Sequence, residues 1–137
     1  SILNLNLNEK QIQIILEIDP QLTFWGDEMT CSNIFRNILS NAVKFTNING
    51  KVIIRAQERD DQVVIEFSDT GVGMSPEVIE KIFVLDEHYT SKGTNNEKGT
   101  GLGLYMVKDF LKLNNGKIEV ESKINQGSSF KLYFPKQ

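Results

Sequence analysis

Residues 51–69, KVIIRAQERDDQVVIEFSD, decide the fold. Two β-rich runs, 51–58 and 62–69, flank a polar turn at 59–61, the pattern of a β-hairpin. Upstream, Ile34, Phe35, Ile38, Leu39, Ala42 and Val43 recur at helical spacing as far as Phe45, and Asp27 suits the N-cap of that helix. Before it, Ile12, Ile14, Leu16 and Ile18 alternate with polar positions as in a half-buried strand, which Asp19-Pro20 ends. Residues 23–25 suit a short strand, and residues 1–10 read equally well as a strand or as a linker.

Downstream of the hairpin, Ser75-Pro76 opens a short helix expected to reach about Phe83. Residues 84–100 are polar and lack a hydrophobic period; a loop of that length inside one domain is usually functional. A helix from about Gly101 to Leu113 stops at Asn114-Asn115-Gly116, and runs 117–122 and 128–134 close the chain as a second hairpin. The order is strand, helix, hairpin, helix, loop, helix, hairpin. Too few strands are joined by crossovers for a doubly wound parallel sheet. The expected fold is α+β, a mixed and mainly antiparallel sheet with helices on one face.

The 137 residues fit one domain able to bury its own core. No apolar run reaches the roughly 20 residues needed to cross a bilayer. With a formal charge of −3 and scattered lysines and arginines, the chain lacks the basic footprint of a nucleic-acid binder. Cys31 is the single cysteine and lies in a helical pattern, so it is expected to pack, and no internal disulfide can form.

Three stretches break the ordinary pattern. Asn33, Asn37, Asn41 and Lys44 share one helix face by their spacing. Such a face is either simply solvated or presents amide oxygens and a lysine to a phosphate-bound cation. Asp69-Thr70-Gly71-Val72-Gly73-Met74 ends a strand with a carboxylate that burial would oblige to find a donor, either in its own turn or on a ligand amine. Gly99-Thr100-Gly101-Leu102-Gly103-Leu104 lies where the long loop becomes a helix, a place that favours phosphate. It is neither a Rossmann fingerprint nor a Walker A loop.

In this order and spacing, the stretches resemble the GHKL ATPase superfamily and, within it, the catalytic ATP-binding domain of sensor histidine kinases. Residues 37–46 resemble its N box, Asp69–Met74 its G1 box, Ile82-Phe83 the start of its F box and Gly99–Leu104 its G2 box. Gly127-Ser128-Ser129-Phe130 resembles the glycine turn before its last strand. The resemblance covers roughly residues 10–136. It implies the Bergerat fold, a two-layer α/β sandwich with three helices on one face and a flexible ATP lid, here residues 84–100.

The resemblance implies ATP and Mg²⁺ as cofactors. Asp69 would accept the adenine amino group, with Thr70, Gly71 and Gly73 shaping the pocket and Met74, Ile79, Ile82 and Phe83 supplying its apolar wall. Asn41 would bind Mg²⁺ through its amide oxygen, Asn37 would assist the metal or its waters, and Lys44 would meet phosphate charge. Gly99, Thr100, Gly101, Leu102 and Gly103 would hinge the lid and bring N–H groups to the phosphates, with Lys92 and Lys98 adding charge. The lid departs from many relatives in carrying Asp86 and Glu87.

ATP-hydrolysing relatives place a glutamate where this chain has Asn37, and an amide cannot act as a base. The resemblance therefore implies transfer of the γ-phosphoryl group to a histidine on an upstream helical dimerisation domain, then to a response regulator receiver domain. His88, the only histidine, sits in the lid and lacks a following acidic residue, so it is not the expected acceptor. The chain alone is expected to be a cytoplasmic monomer that binds ATP without phosphorylating itself. It is expected to bind no nucleic acid and not to insert into a membrane itself, and its parent is expected to be a homodimer, with a membrane-bound sensor as one form. The alternatives are an anti-sigma-factor-like serine kinase, a nucleotide sensor without catalysis, and an ATP-driven clamp, which Asn37 disfavours.

Overall fold

The 51–69 run folds as a hairpin, and its register organises the rest. The computed structural model describes residues 10–82 and 103–136. Their order is β1 (Gln13–Ile18), α1 (Glu28–Phe45), β2 (Lys51–Arg59), β3 (Gln62–Asp69), α2 (Pro76–Lys81), α3 (Gly103–Leu113), β4 (Lys117–Lys123) and β5 (Gly127–Pro135). The strands form one sheet in the order β1-β2-β3-β5-β4, with β1 parallel to β2 and every other pair antiparallel. This is the mixed, mainly antiparallel α+β sandwich expected from the sequence.

Strand alternation makes the two faces chemically different. Leu16, Ile54, Phe67, Phe130 and Val120 form one cross-strand row, and Ile18, Ala56, Ile65, Leu132 and Ile118 the next. The helices cover this apolar face except at its β1 edge, where Leu16 and Ile18 stay exposed. Ile34, Ile38, Ala42 and Val43 of α1 and Leu104, Val107 and Leu111 of α3 are buried in the same core. On the other face Glu17, Arg55, Glu66, Lys131 and Glu119 form a row of alternating charge. Arg55 reaches Glu17 at 2.7 Å and Glu66 at 3.5 Å. Exposed pairs of this kind stabilise little, but a one-residue slip would drive the charges into the core.

Local chemistry accounts for most element ends. Asp27 caps α1 by accepting from the Thr30 N–H at 2.9 Å, and these bonds to Thr30 hold its carboxyl below its ordinary pKa. Ser75 caps α2, with Pro76 in its first turn. At the end of α3, Asn115 takes the left-handed conformation (φ 56°). Gly116 N–H then bonds the Leu111 carbonyl at 2.7 Å and Asn115 N–H the Lys112 carbonyl at 3.2 Å, a Schellman arrangement.

Some bounds differ from the sequence reading. β1 begins at Gln13 rather than Ile12, after Gln11 turns with φ 52°. It is an edge strand, and Leu16 is 66% exposed. The segment 23–25 makes only an isolated bridge, Phe24 to Lys136, because Phe24 is held by its ring, stacked 4.5 Å from that of Phe134. α2 ends at Lys81, while α3 is described from Gly103, so its expected start at about Gly101 falls outside the described residues. Residues 1–9, Phe83, the expected lid at 84–100, Gly101 and Leu102 lie outside the described residues.

Asn114 joins the end of α3 to the start of α1. Its Oδ1 accepts from Asp27 N–H at 2.6 Å, while Nδ2 donates to Thr30 Oγ1 and the Phe110 carbonyl, each at 2.8 Å. Asn114 is buried, and truncation removes all three of these bonds at once. Asn114→Ala should cost about 1–3 kcal/mol in denaturant unfolding. The neighbouring exposed Leu113→Ala should change stability by less than about 0.5 kcal/mol.

Candidate functional site

The apolar face of the sheet turns polar in one row. Beyond Phe67 and Phe130 the next positions are Asp69, Ser128 and Ser122, paired across β3, β5 and β4. Asp69 thus occupies a core-facing position at the end of β3 and is only 5% exposed. Its Oδ1 accepts from Gly71 N–H at 2.9 Å and Ser128 N–H at 3.3 Å. Among the described residues Oδ2 has no hydrogen-bond partner. Burial raises the Asp69 pKa from 3.8 to about 6, against the lowering effect of the two backbone donors.

The turn after Asp69 is clamped from two sides. On one side the Val72 N–H bonds the Phe45 carbonyl at the end of α1, at 3.0 Å. On the other, the β4–β5 hairpin supplies Asn125 N–H to the Val72 carbonyl at 2.7 Å and Ser122 Oγ to Met74 N–H at 2.7 Å. These contacts explain the glycines. A Cβ on Gly71 would lie 2.1 Å from the Phe45 carbonyl oxygen. Gly73 has φ +72°, and a Cβ there would lie 1.9 Å from the Lys123 carbonyl oxygen. Both glycines are therefore required by backbone packing within the chain, before any ligand is considered.

Residues on the polar face of α1 differ in their surroundings. Asn33 is exposed and donates to its own helix at the Met29 carbonyl. Asn37 and Asn41 are half-buried, and Lys44 is buried with its ammonium 4.9 Å from the Phe45 ring centroid. Asn41 Nδ2 donates to the Asn37 carbonyl at 3.2 Å. A carbonyl can only accept, so the amide nitrogen is committed there and Oδ1 is the end left for a cation. Asn41 precedes Phe45 by one helical turn, about 6 Å along the axis. The Asp69 turn and the helix that carries the amides are thus joined at the α1 end by the Val72–Phe45 bond.

Thr70 lies at the mouth of this turn, just past the end of β3. It is exposed, and its Oγ1 accepts from Lys51 N–H at 3.0 Å, extending the β2–β3 pairing. Met74 is buried, and Ile79 and Ile82 pack partly buried against the core. Gly103 opens α3. Lys92, Lys98, Gly99 and Thr100, like His88, lie outside the described residues.

The structure adds residues that pattern reading overlooked. Ser122 and Ser128, with Oγ atoms 2.7 Å apart, brace the Asp69 turn. Their signal was alternation: both continue the inward positions of apolar strands. Lys10, 1% exposed, donates to the carbonyls of Val43, Lys44 and Thr46. Nothing in its local sequence announces that role.

The chain is thus an α+β sandwich with one buried carboxyl at the end of β3 and an amide-bearing face on α1. The chain belongs to the family described as histidine kinase-, DNA gyrase B-, and HSP90-like ATPase, which matches residues 26–137. It is 33% identical over 132 residues to the circadian input-output histidine kinase CikA of Synechococcus elongatus, covering 96% of this chain and 18% of that protein. The catalytic domain of histidine kinase ThkA, in a nucleotide-free form, superposes with TM-score 0.79 at 28% identity, covering 98% of this chain and 86% of that one. Full-length ShkA in complex with AMPPNP gives TM-score 0.77 at 29% identity, covering 99% of this chain and 28% of that one. The chain spans between 7% and 37% of the length of curated relatives such as a Dictyostelium discoideum hybrid histidine kinase and GraS of Staphylococcus haemolyticus.

The raised pKa of Asp69 makes its ionisation oppose folding. The stabilising contribution of the neutral acid is fully present below the unfolded value of 3.8 and is lost as pH rises through about 6. Asp69→Asn keeps an oxygen for both N–H donors and removes the charge. It should gain about 1–3 kcal/mol over the wild type at pH 7.5. The gain should vanish below about pH 4, as read by urea denaturation across pH.

Proposed function

We propose that this chain binds ATP with Mg²⁺ and delivers the γ-phosphoryl group to a histidine on a separate helical domain of its parent protein. The observation that carries the reading is Asp69, a buried carboxyl with one oxygen tied to backbone donors and the other left to a ligand. A purine amino group is a donor of the required kind, and a carboxylate in so dry a place discriminates strongly for it. ShkA, similar in fold over almost this whole chain, was solved with a bound ATP-like nucleotide.

With the base at Asp69, Asn41 and Lys44 stand along α1 toward the phosphates. Asn41 Oδ1 would hold Mg²⁺, and Asn37 would orient its waters. A single neutral protein ligand suits an ion that retains water and takes phosphate oxygens. When bound, the ion neutralises charge on the phosphates. Lys44 adds a fixed positive charge from a buried position. The chain's contribution is positioning and charge compensation.

Asn37 selects among the fates of ATP. Its amide cannot take a proton from water, so hydrolysis lacks a base and an external nucleophile is favoured. The histidine, the dimerisation domain carrying it and the receiver domain are supplied by the parent or its partner, on the cytoplasmic side where the parent is a membrane sensor. Among the described residues, no helix is long and apolar enough to cross a membrane.

Supplied with Mg²⁺ and γ-labelled ATP, the isolated chain should bind nucleotide and remain unlabelled. Adding the parent's helical domain should give an acid-labile, alkali-stable phosphoprotein. Asp69→Asn should weaken ATP binding at least 100-fold in calorimetry while the fold persists. Asn41→Ala should slow transfer by more than it weakens binding. An acid-stable label would indicate a serine kinase instead, and binding without transfer a nucleotide sensor.

A further inference from the structure

We infer that Lys10 is a positioning residue for the phosphate end of the nucleotide site, acting through the last turn of α1. The inference rests on the nucleotide reading above and adds to it a residue far from the recognised boxes.

A helix ends with carbonyls that have no partner inside it. At the end of α1 each has an identified one. Thr46 Oγ1 bonds the Ala42 carbonyl at 2.5 Å and Thr46 N–H the Val43 carbonyl at 3.2 Å. The Phe45 carbonyl takes Val72 N–H at 3.0 Å. The carbonyls of Val43, Lys44 and Thr46 converge on Lys10 Nζ at 3.0, 2.9 and 3.2 Å. One ammonium, placed at the negative end of the helix dipole, therefore gathers three oxygens across the end of the helix.

The placement has a mechanical consequence. The Lys10 carbonyl accepts from Asn49 N–H at 2.8 Å in the turn that leads from α1 to β2, and three residues on, Gln13 N–H at the start of β1 bonds the Gly50 carbonyl at 3.1 Å. The ammonium thus fixes the end of α1 relative to β1 and β2. Lys44 is in the gripped turn, and Asn41 is less than one turn before it. Asp69 shares the Val72–Phe45 bond with that turn but has further supports from the sheet, Ser128 N–H on its carboxylate and the β4–β5 hairpin under its loop. Loss of the ammonium should loosen the phosphate end of the site and leave the base end in place. A neutral side chain of the same length leaves buried carbonyls without a donor, which favours movement of that turn.

The test compares the 137-residue chain with Lys10→Met and, should that variant fold poorly, Lys10→Arg, which keeps the charge but spreads its donors over a planar fork. Two readouts separate the inference from a merely structural role. In calorimetry, adenosine affinity should stay within about twofold of wild type, while the gain in affinity from adenosine to Mg·ATP should fall at least tenfold in Lys10→Met and by a smaller factor in Lys10→Arg. In amide hydrogen exchange, Thr46 and Val72 should lose protection while the amides between β3 and β5 keep theirs. Equal losses for adenosine and Mg·ATP, no loss for either, or uniform loss of protection would each overturn the inference. If the wild type binds neither ligand, the nucleotide reading itself fails, and the exchange pattern still decides whether Lys10 controls the turn.

Discussion

The carbonyl oxygen of Phe45 is the point on which the site depends. It ends α1, accepts the Val72 N–H, and lies so close to Gly71 that no side chain fits between. A helix end leaves such oxygens without partners inside it. Here that unmet need becomes the joint between two layers: the loop after β3 satisfies the helix, and the helix fixes the loop. Everything placed on either element is thereby placed relative to the other. Asp69 comes from the sheet, Asn41 and Lys44 from the helix, and a single backbone bond sets their relation.

The same turn is tied to the sheet's far side. The β4–β5 hairpin reaches under it with Asn125, Ser122 and the Lys123 carbonyl, and Gly73 adopts a left-handed conformation to let the strands approach. Three elements distant in sequence converge on six residues. Cross-strand register makes this possible. Once the apolar rows are matched from β1 to β4, the next row must place Asp69, Ser128 and Ser122 together. Hydrophobic burial therefore aligns the polar row without any strong polar interaction to direct it.

That dependence explains what the sequence disclosed. Elements with a strong period were legible: α1 from its apolar stripe and Asp27 cap, the 51–69 hairpin from its alternation, α3 from its Asn-Asn-Gly stop. Asp69 and its glycines stood out because a charge and two glycines interrupt an apolar strand pattern. Ser122 and Ser128 did not, since serine in an edge hairpin looks solvated until the register is known. Lys10 was less legible still. A lysine at the end of an ambiguous segment carries no pattern, and only the fold shows three carbonyls 33 to 36 residues away waiting for it. The glycines were legible as special, yet for a reason that sequence cannot weigh. Ligand approach and chain packing demand the same residue, and here packing alone is sufficient.

The energetics of Asp69 show why the polar row persists in a face otherwise devoted to the core. An ionised carboxylate at that depth opposes folding, as its pKa of about 6 records, and an apolar residue would pack there without that cost. Two backbone donors on Oδ1 reduce the penalty but leave it standing. A site that binds by meeting a ligand's donor has to hold an acceptor short of hydrogen bonds beforehand, because an acceptor already satisfied gains little from the ligand. The stability gained from the two apolar rows is what allows one row to be left in that state. Placing the unsatisfied oxygen at the end of the sheet, against a turn fixed by Phe45 and the β4–β5 hairpin, keeps it from relaxing toward water. The feature that weakens the fold is then the feature that selects the ligand.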